Sequence, residues 1–146
     1  MSVAENKALV RRYLEEVVNT GDVDRLAEFI APDYIDRNDQ GRGIEGAKRH
    51  VLGVRQTYPD LHVTVGQQVA EGEWVVTRVT GRGTHLGAWL GMSPTGKALE
   101  ITGVNIDRVV NGRIVCHCVH PKSESSHCFA SDHCSRSRPW FRLGKT

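Results

Sequence analysis

The chain has 146 residues, 39% of them hydrophobic, which is enough for one domain with a core and a modest pocket and too little for a second globular unit. Its formal net charge of +2 is unevenly spread. Five basic residues after Cys116 (Lys122, Arg136, Arg138, Arg142, Lys145) oppose only Glu124 and Asp132, whereas the preceding body carries fourteen basic and fifteen acidic residues and so offers no basic face for nucleic acid. No apolar run has the length of a signal peptide or a bilayer span, and Met1 to Val115 contain no cysteine, so a soluble cytoplasmic protein that owes nothing to disulfides is expected.

From Ala4 to Thr20, the residues Leu9, Val10, Tyr13, Leu14, Val17 and Val18 recur at spacings of three and four, which predicts a helix with one buried face. Asn19-Thr20-Gly21 ends it, and Asp22 is placed to cap a short second helix whose Leu26, Phe29 and Ile30 face inward before Pro32 stops it. A polar stretch from Arg37 to Gly43 leads to a third helical pattern, with Ala47, Val51, Val54 and Tyr58 on one side and Pro59 at its end. After Leu61 the period changes to two. Leu61-Val65, Trp74-Arg82, Leu99-Val109 and Arg113-Val119 read as strands, with turns expected at Gly66, Glu71-Gly72, Gly91 to Gly96 and Asn111-Gly112. Helices followed by a meander predict an α+β domain, three helices packed on a curved antiparallel sheet, over residues 1–120. Residues 121–146 show neither period and read as a poorly ordered tail.

The stretches ENKALVRRYLEEVVNTGDVDRLAEFIAPDYID, YPDLHVTV, GTHLGAWLGMSPTGK and ITGVNIDRVVNGRIV resemble, in order, the SnoaL-like polyketide cyclases of the nuclear-transport-factor-2-like superfamily. The resemblance implies a cone-shaped barrel with a deep apolar pocket, a homodimer, and neither metal nor organic cofactor. It also implies a small, apolar, carbonyl-bearing substrate. The best-known members close the last ring of an anthracycline precursor by intramolecular aldol condensation, and others are ester cyclases. Their principal acid/base is an aspartate on the last strand, two residues beyond a histidine that corresponds to His117. Here that position is Val119, which can neither accept a proton nor form a side-chain hydrogen bond.

The remaining candidates are His117 and Asp36 as base, with Asn105 and His85 as hydrogen-bonding groups and Trp89, Tyr13 and Tyr34 as pocket lining. Asp36 lies where the founding cyclases have an amide, and Asn105 where the family places a polar residue. Each has a plainer reading: His117 as a polar strand end, His85 as a loop-shaping side chain, Asp36 as a turn former, the aromatics as core, and Asp107 beside Arg108 as a surface ion pair. Two-residue alternation puts Asn105 with Asp107 on one face, and His117 with Val115 and Val119 on another strand's face. Cys116, Cys118, Cys128 and Cys134, interspersed with His120, His127 and His133, lack the spacing of a zinc knuckle, so no metal site is expected. The resemblance stops after His117, and the Cys-, His-, Ser- and Arg-bearing end of the chain reads like the family's end translated out of frame, with real divergence of the end as the alternative account. A noncatalytic binding or scaffold protein on the same fold is the competing reading, as is a chain inactivated by its altered end.

Overall fold

The computed structural model describes residues 2–38, 40–88 and 92–121. Helix α1 (Val3–Tyr13) opens on a reciprocal cap. Ser2 Oγ accepts the Glu5 N–H at 3.1 Å while Glu5 Oε2 accepts the Ser2 N–H at 2.6 Å, an arrangement that stabilises a helix start by ~1 kcal/mol. The helix does not run uniformly to Thr20. After Tyr13 it widens into a π turn, Leu14–Val18, where the Asn19 N–H reaches back to the Leu14 carbonyl at 3.0 Å.

The second helix is shorter than expected: a 3-10 turn at Val23–Arg25 runs into the single turn α2 (Leu26–Phe29). Asp22 supplies no cap; instead its own N–H donates to Thr20 Oγ1 at 3.1 Å. Leu26, Phe29 and Ile30 do face the core. Pro32 lies inside a strand, β1 (Ile30–Asp36), which separates α2 from α3 (Gly43–Thr57). On α3, Ala47, Val51 and Val54 are buried, followed by Tyr58.

Four further strands complete the chain's described part: β2 (His62–Glu71), β3 (Trp74–Thr84), β4 (Ala98–Val110) and β5 (Arg113–Pro121). They pair as an antiparallel meander in the expected places. The sheet order is β1-β5-β4-β3-β2, however, and β1 pairs with β5 in parallel, so the sheet is mixed and not wholly antiparallel. The cause is topological: β1 is separated from its partner by α3 and three strands, a crossover long enough to return the chain in the same direction. The β4–β5 turn matches its sequence signal, with φ of 48° at Asn111 and 73° at Gly112, both in the left-handed region that a type I′ turn needs.

Gly66 is not a turn. The β2–β3 register slips between Val65 and Gln68, and a Cβ at Gly66 would lie 3.1 Å from the Arg78 carbonyl oxygen, so glycine fills a bulge. A second slip, between Arg108 and Val109 on β4, inserts an extra residue on β5. Ile114 and His117 are therefore the buried positions there, and Val115 steps out of the alternation that would have set it beside His117. Helix α1 lies over β2 and β3, and α3 lies against β1. The larger core comprises Val10, Tyr13, Leu14, Val17, Leu26, Phe29, Ile30 and their strand partners, and Val54, Tyr58 and Leu61 form a second, smaller cluster. No helix among the described residues is long and apolar enough to cross a membrane.

Candidate functional site

Strand register assembles the site. Val75 on β3 pairs with Asp107 on β4, Asp107 with His117 on β5, and His117 with Asp36 on β1, so four strands contribute one row to the helix-covered face. Its polar members are deeply buried, with residue exposures of 1% at Asp36, 2% at Asp107 and 9% at His117. Within the row, His117 Nδ1 lies 2.6 Å from Asp107 Oδ1. Asp107 is thus no surface ion pair. Arg108 points to the opposite face and bonds Glu73 Oε2 at 2.7 Å.

A neighbouring row comprises Gln68, Thr77, Asn105 and Val119. Gln68 Nε2 donates to Thr77 Oγ1 at 3.2 Å, whereas the buried Asn105 Oδ1 has no hydrogen-bond partner among the described residues. Adjacent rows on one face are two residues apart, or ~7 Å along a strand.

The end of β1 fixes both rows against one another. Arg37 N–H donates to the His117 carbonyl at 2.9 Å. Asp36 Oδ1 accepts the Asn38 N–H at 2.8 Å, and its Oδ2 lies 3.8 Å from His50 Nδ1 on α3. Asn38 then clasps the Val119 backbone, donating from Nδ2 to its carbonyl at 2.9 Å and accepting its N–H at 2.7 Å. The asparagine amide stands in for the strand that β1 no longer provides.

Tyr13, buried at the end of α1, shares this space. Burial, followed by the charges of Asp107 and Asp36, pushes its phenol far above the ordinary range, so it stays a neutral hydroxyl. Tyr34 is buried on β1 two residues before Asp36 and therefore on the same face. Asp36, His117, Asn105, Tyr13 and Tyr34 are thus brought to one side of the sheet, together with Asp107.

His85 is not among them. It follows the end of β3, eight residues beyond Thr77, or ~27 Å along an extended strand. Its ring packs on Tyr58 with centroids 5.6 Å apart, and its Nδ1 accepts the Thr95 N–H at 3.3 Å. The His85 backbone pairs with Lys97 and Gly96, closing the base of the loop. Neighbouring residues of the GTHLG stretch serve the same docking. Thr84 donates N–H and hydroxyl to Asp60, and a Cβ at Gly87 would fall 2.1 Å from the Gln56 carbonyl oxygen. The pocket-lining role expected for Trp89 lies outside the described residues.

An open groove of about 400 Å³ at this same end is lined by Asp60, His62, Arg82, Thr84, Leu99 and Glu100. Its charged lining does not suit an apolar ligand, and it is not the His117 row. On the outer face of β5, Cys116 Sγ accepts from Arg37 Nε at 3.3 Å and Cys118 Sγ lies 3.3 Å from His120 Nε2. Among the described residues no group of three or more histidine, cysteine or acidic side chains could hold a metal ion. Cys128 and Cys134 lie outside the described residues.

A helix-covered mixed sheet with a buried carboxylate–imidazole row defines an α+β domain whose polar chemistry is held inside. The chain belongs to the SnoaL-like polyketide cyclase family, whose profile matches residues 8–121 and so continues four residues past His117. It is 30% identical over 115 residues to the aklanonic acid methyl ester cyclase DnrD of Streptomyces peucetius, covering 75% of this chain and 79% of that one. It is 31% identical over 104 residues to the nogalonic acid methyl ester cyclase of Streptomyces nogalater, covering 68% and 78%. Among solved structures, TsrD from Streptomyces laurentii superposes with a TM-score of 0.78 at 26% identity, covering 87% of this chain and 95% of that one. IdmH from Streptomyces antibioticus gives 0.70 at 31%, covering 82% and 94%.

Proposed function

We propose that the protein is a cofactor-independent cyclase that closes a ring in a small carbonyl-bearing polyketide ester by acid/base chemistry on the inner face of the sheet. The observation that carries this reading is the buried row of Asp36, His117 and Asp107. An imidazole between two carboxylates can take a proton from carbon next to a carbonyl, and the low-dielectric surroundings strengthen its interaction with the charge that forms. In the aldol step the resulting enolate attacks a second carbonyl within the same molecule, a carbon–carbon bond forms, and the new alkoxide recovers the proton from the imidazolium. Atoms and electrons balance without an external oxidant or reductant. The Asn105 amide is suited to bond substrate oxygens or hydroxyls one row away, and Tyr13 and Tyr34 to line the cavity of a cone-shaped barrel. Asp36 is the alternative base.

The names of the relatives supply the first substrate to try, aklanonic acid methyl ester. Conversion to a cyclised product by the purified chain, lost in His117→Ala, supports the reading. Turnover unaffected by both His117→Ala and Asp36→Ala removes the catalytic roles assigned to them. Val119 favours a second reading, in which the chain binds such esters without turning them over; tight binding with no product in any variant selects it. The reading includes a cytoplasmic homodimer. Val69, Trp74 and Val76, exposed by 69%, 47% and 36% on the outer face, support association there, and light scattering of the purified protein measures it.

A further inference from the structure

We propose that Asp107 is the positioning residue of this site: its carboxylate holds the His117 imidazole with the proton on Nδ1 and so places the basic lone pair on Nε2. The inference rests on the reading of His117 as the base, and it concerns a residue whose sequence neighbour, Arg108, invites a different pairing.

Three observations carry it. The first is the 2.6 Å contact between His117 Nδ1 and Asp107 Oδ1. An ionised carboxylate only accepts, so the nitrogen facing it must bear the hydrogen, and a neutral imidazole then has its lone pair on the other nitrogen. The second is register: Asp107 and His117 are directly opposed on β4 and β5, so backbone pairing, not a mobile loop, sets their approach. The third is that no lysine or arginine among the described residues of the row competes for the carboxylate. Val75, fully buried, flanks Asp107 on the β3 side, and Arg108 is turned to the outer face with Glu73.

The consequence is directional. With Nδ1 committed to Asp107, a proton taken from a ligand arrives at Nε2, and the imidazolium that forms keeps Asp107 as its counter-charge. The carboxylate is not itself protonated in this scheme; it selects the tautomer, orients the ring and stabilises the charge. Asp36 is tied by its Oδ1 to the Asn38 N–H, the turn that ends β1.

Ring-nitrogen NMR of the full chain, above the pH at which the imidazoles are neutral, tests the proposal without any substrate. His117 is expected with hydrogen on Nδ1, and His85 with hydrogen on Nε2, which makes His85 an internal reference for correct folding. Asp107→Asn, whose amide can donate to Nδ1, is expected to move the His117 hydrogen to Nε2 and leave the His85 pattern unchanged, whereas Asp107→Glu retains Nδ1–H. Where cyclisation is measurable, Asp107→Asn is expected to lower kcat by roughly 10²-fold or more with little change in KM. A wild-type His117 protonated on Nε2 overturns the proposal even if the variants do not fold, and so does an Asp107→Asn spectrum with His117 unchanged. A tautomer that follows Asp107, in a protein that cyclises nothing in any form, supports the positioning role and counts against the cyclase reading instead.

Discussion

His85 and His117 are both buried, at 1% and 9% exposure, yet their surroundings assign them opposite hydrogens. His85 Nδ1 meets the Thr95 N–H at 3.3 Å and the Thr95 hydroxyl at 3.1 Å, and the N–H contact favours the tautomer with hydrogen on Nε2, an atom with no hydrogen-bond partner among the described residues. His117 donates from Nδ1 to a carboxylate. The first imidazole closes a loop against Tyr58, and the second completes a row of charge on a sheet. Burial alone therefore says little about a histidine's work; the identity of its Nδ1 partner says more.

The largest effect expected from this contrast is on catalysis. His117→Ala should lower kcat for ester cyclisation by roughly 10²–10⁴-fold, the range a positioned base contributes, whereas His85→Ala should leave kcat within a few-fold among folded molecules. Steady-state kinetics on the two purified variants would check this, and equal losses would erase the distinction.

Next in size is the effect of restoring a carboxylate where valine stands. Val119 pairs with Asn105, whose side-chain amide nitrogen is able to donate to a carboxylate, and Asn38 holds its backbone on both sides. Val119→Asp should therefore be accommodated and raise turnover by roughly 10²-fold over the unmodified chain. Unchanged turnover would mean that a carboxylate at position 119 adds nothing to the base that His117 supplies.

These assignments were legible in the sequence to different degrees. The helical faces of α1 and α3 and the four-strand meander follow from spacing, because each buries a repeating apolar stripe. Strand β1 does not, since Pro32 interrupts a seven-residue segment that has no period of its own, and its parallel partner lies some eighty residues further on. Asp107 is the instructive case. The alternation that puts Asn105 and Asp107 on one face already puts Arg108 on the other, a signal that excludes the Asp107–Arg108 pair. What spacing does not show is the β5 bulge, which sets His117 opposite Asp107 where an unbroken register from the turn would set Cys116.

The GTHLG stretch teaches the converse. As the most distinctive string in the chain it draws attention as a site, and its geometry is that of a loop docked on the end of α3. His85→Ala is accordingly expected to cost stability, about 2 kcal/mol, because it removes the contact with Tyr58 and strands the Thr95 N–H. Urea unfolding would show this as a lower midpoint with an unchanged slope.

The smallest effect is expected at the chain's end. Phe129, Trp140, Phe141 and Leu143 share no face at either period, so truncation after Pro121 should cost about 1 kcal/mol or less. Loss of folding on truncation would make the last residues structural, and one equivalent of zinc lost with them would add a metal that the cysteine and histidine spacing does not predict.

The central claim is that a base on the β5 row removes a proton next to a carbonyl. It is tested most directly by incubating aklanonic acid methyl ester with the protein in D2O and following the acidic C–H by NMR. The wild-type chain is predicted to accelerate its exchange for deuterium, and His117→Ala, with folding verified by its His85 signals, to return exchange to the buffer rate. Exchange that is equally fast with His117→Ala would contradict the account.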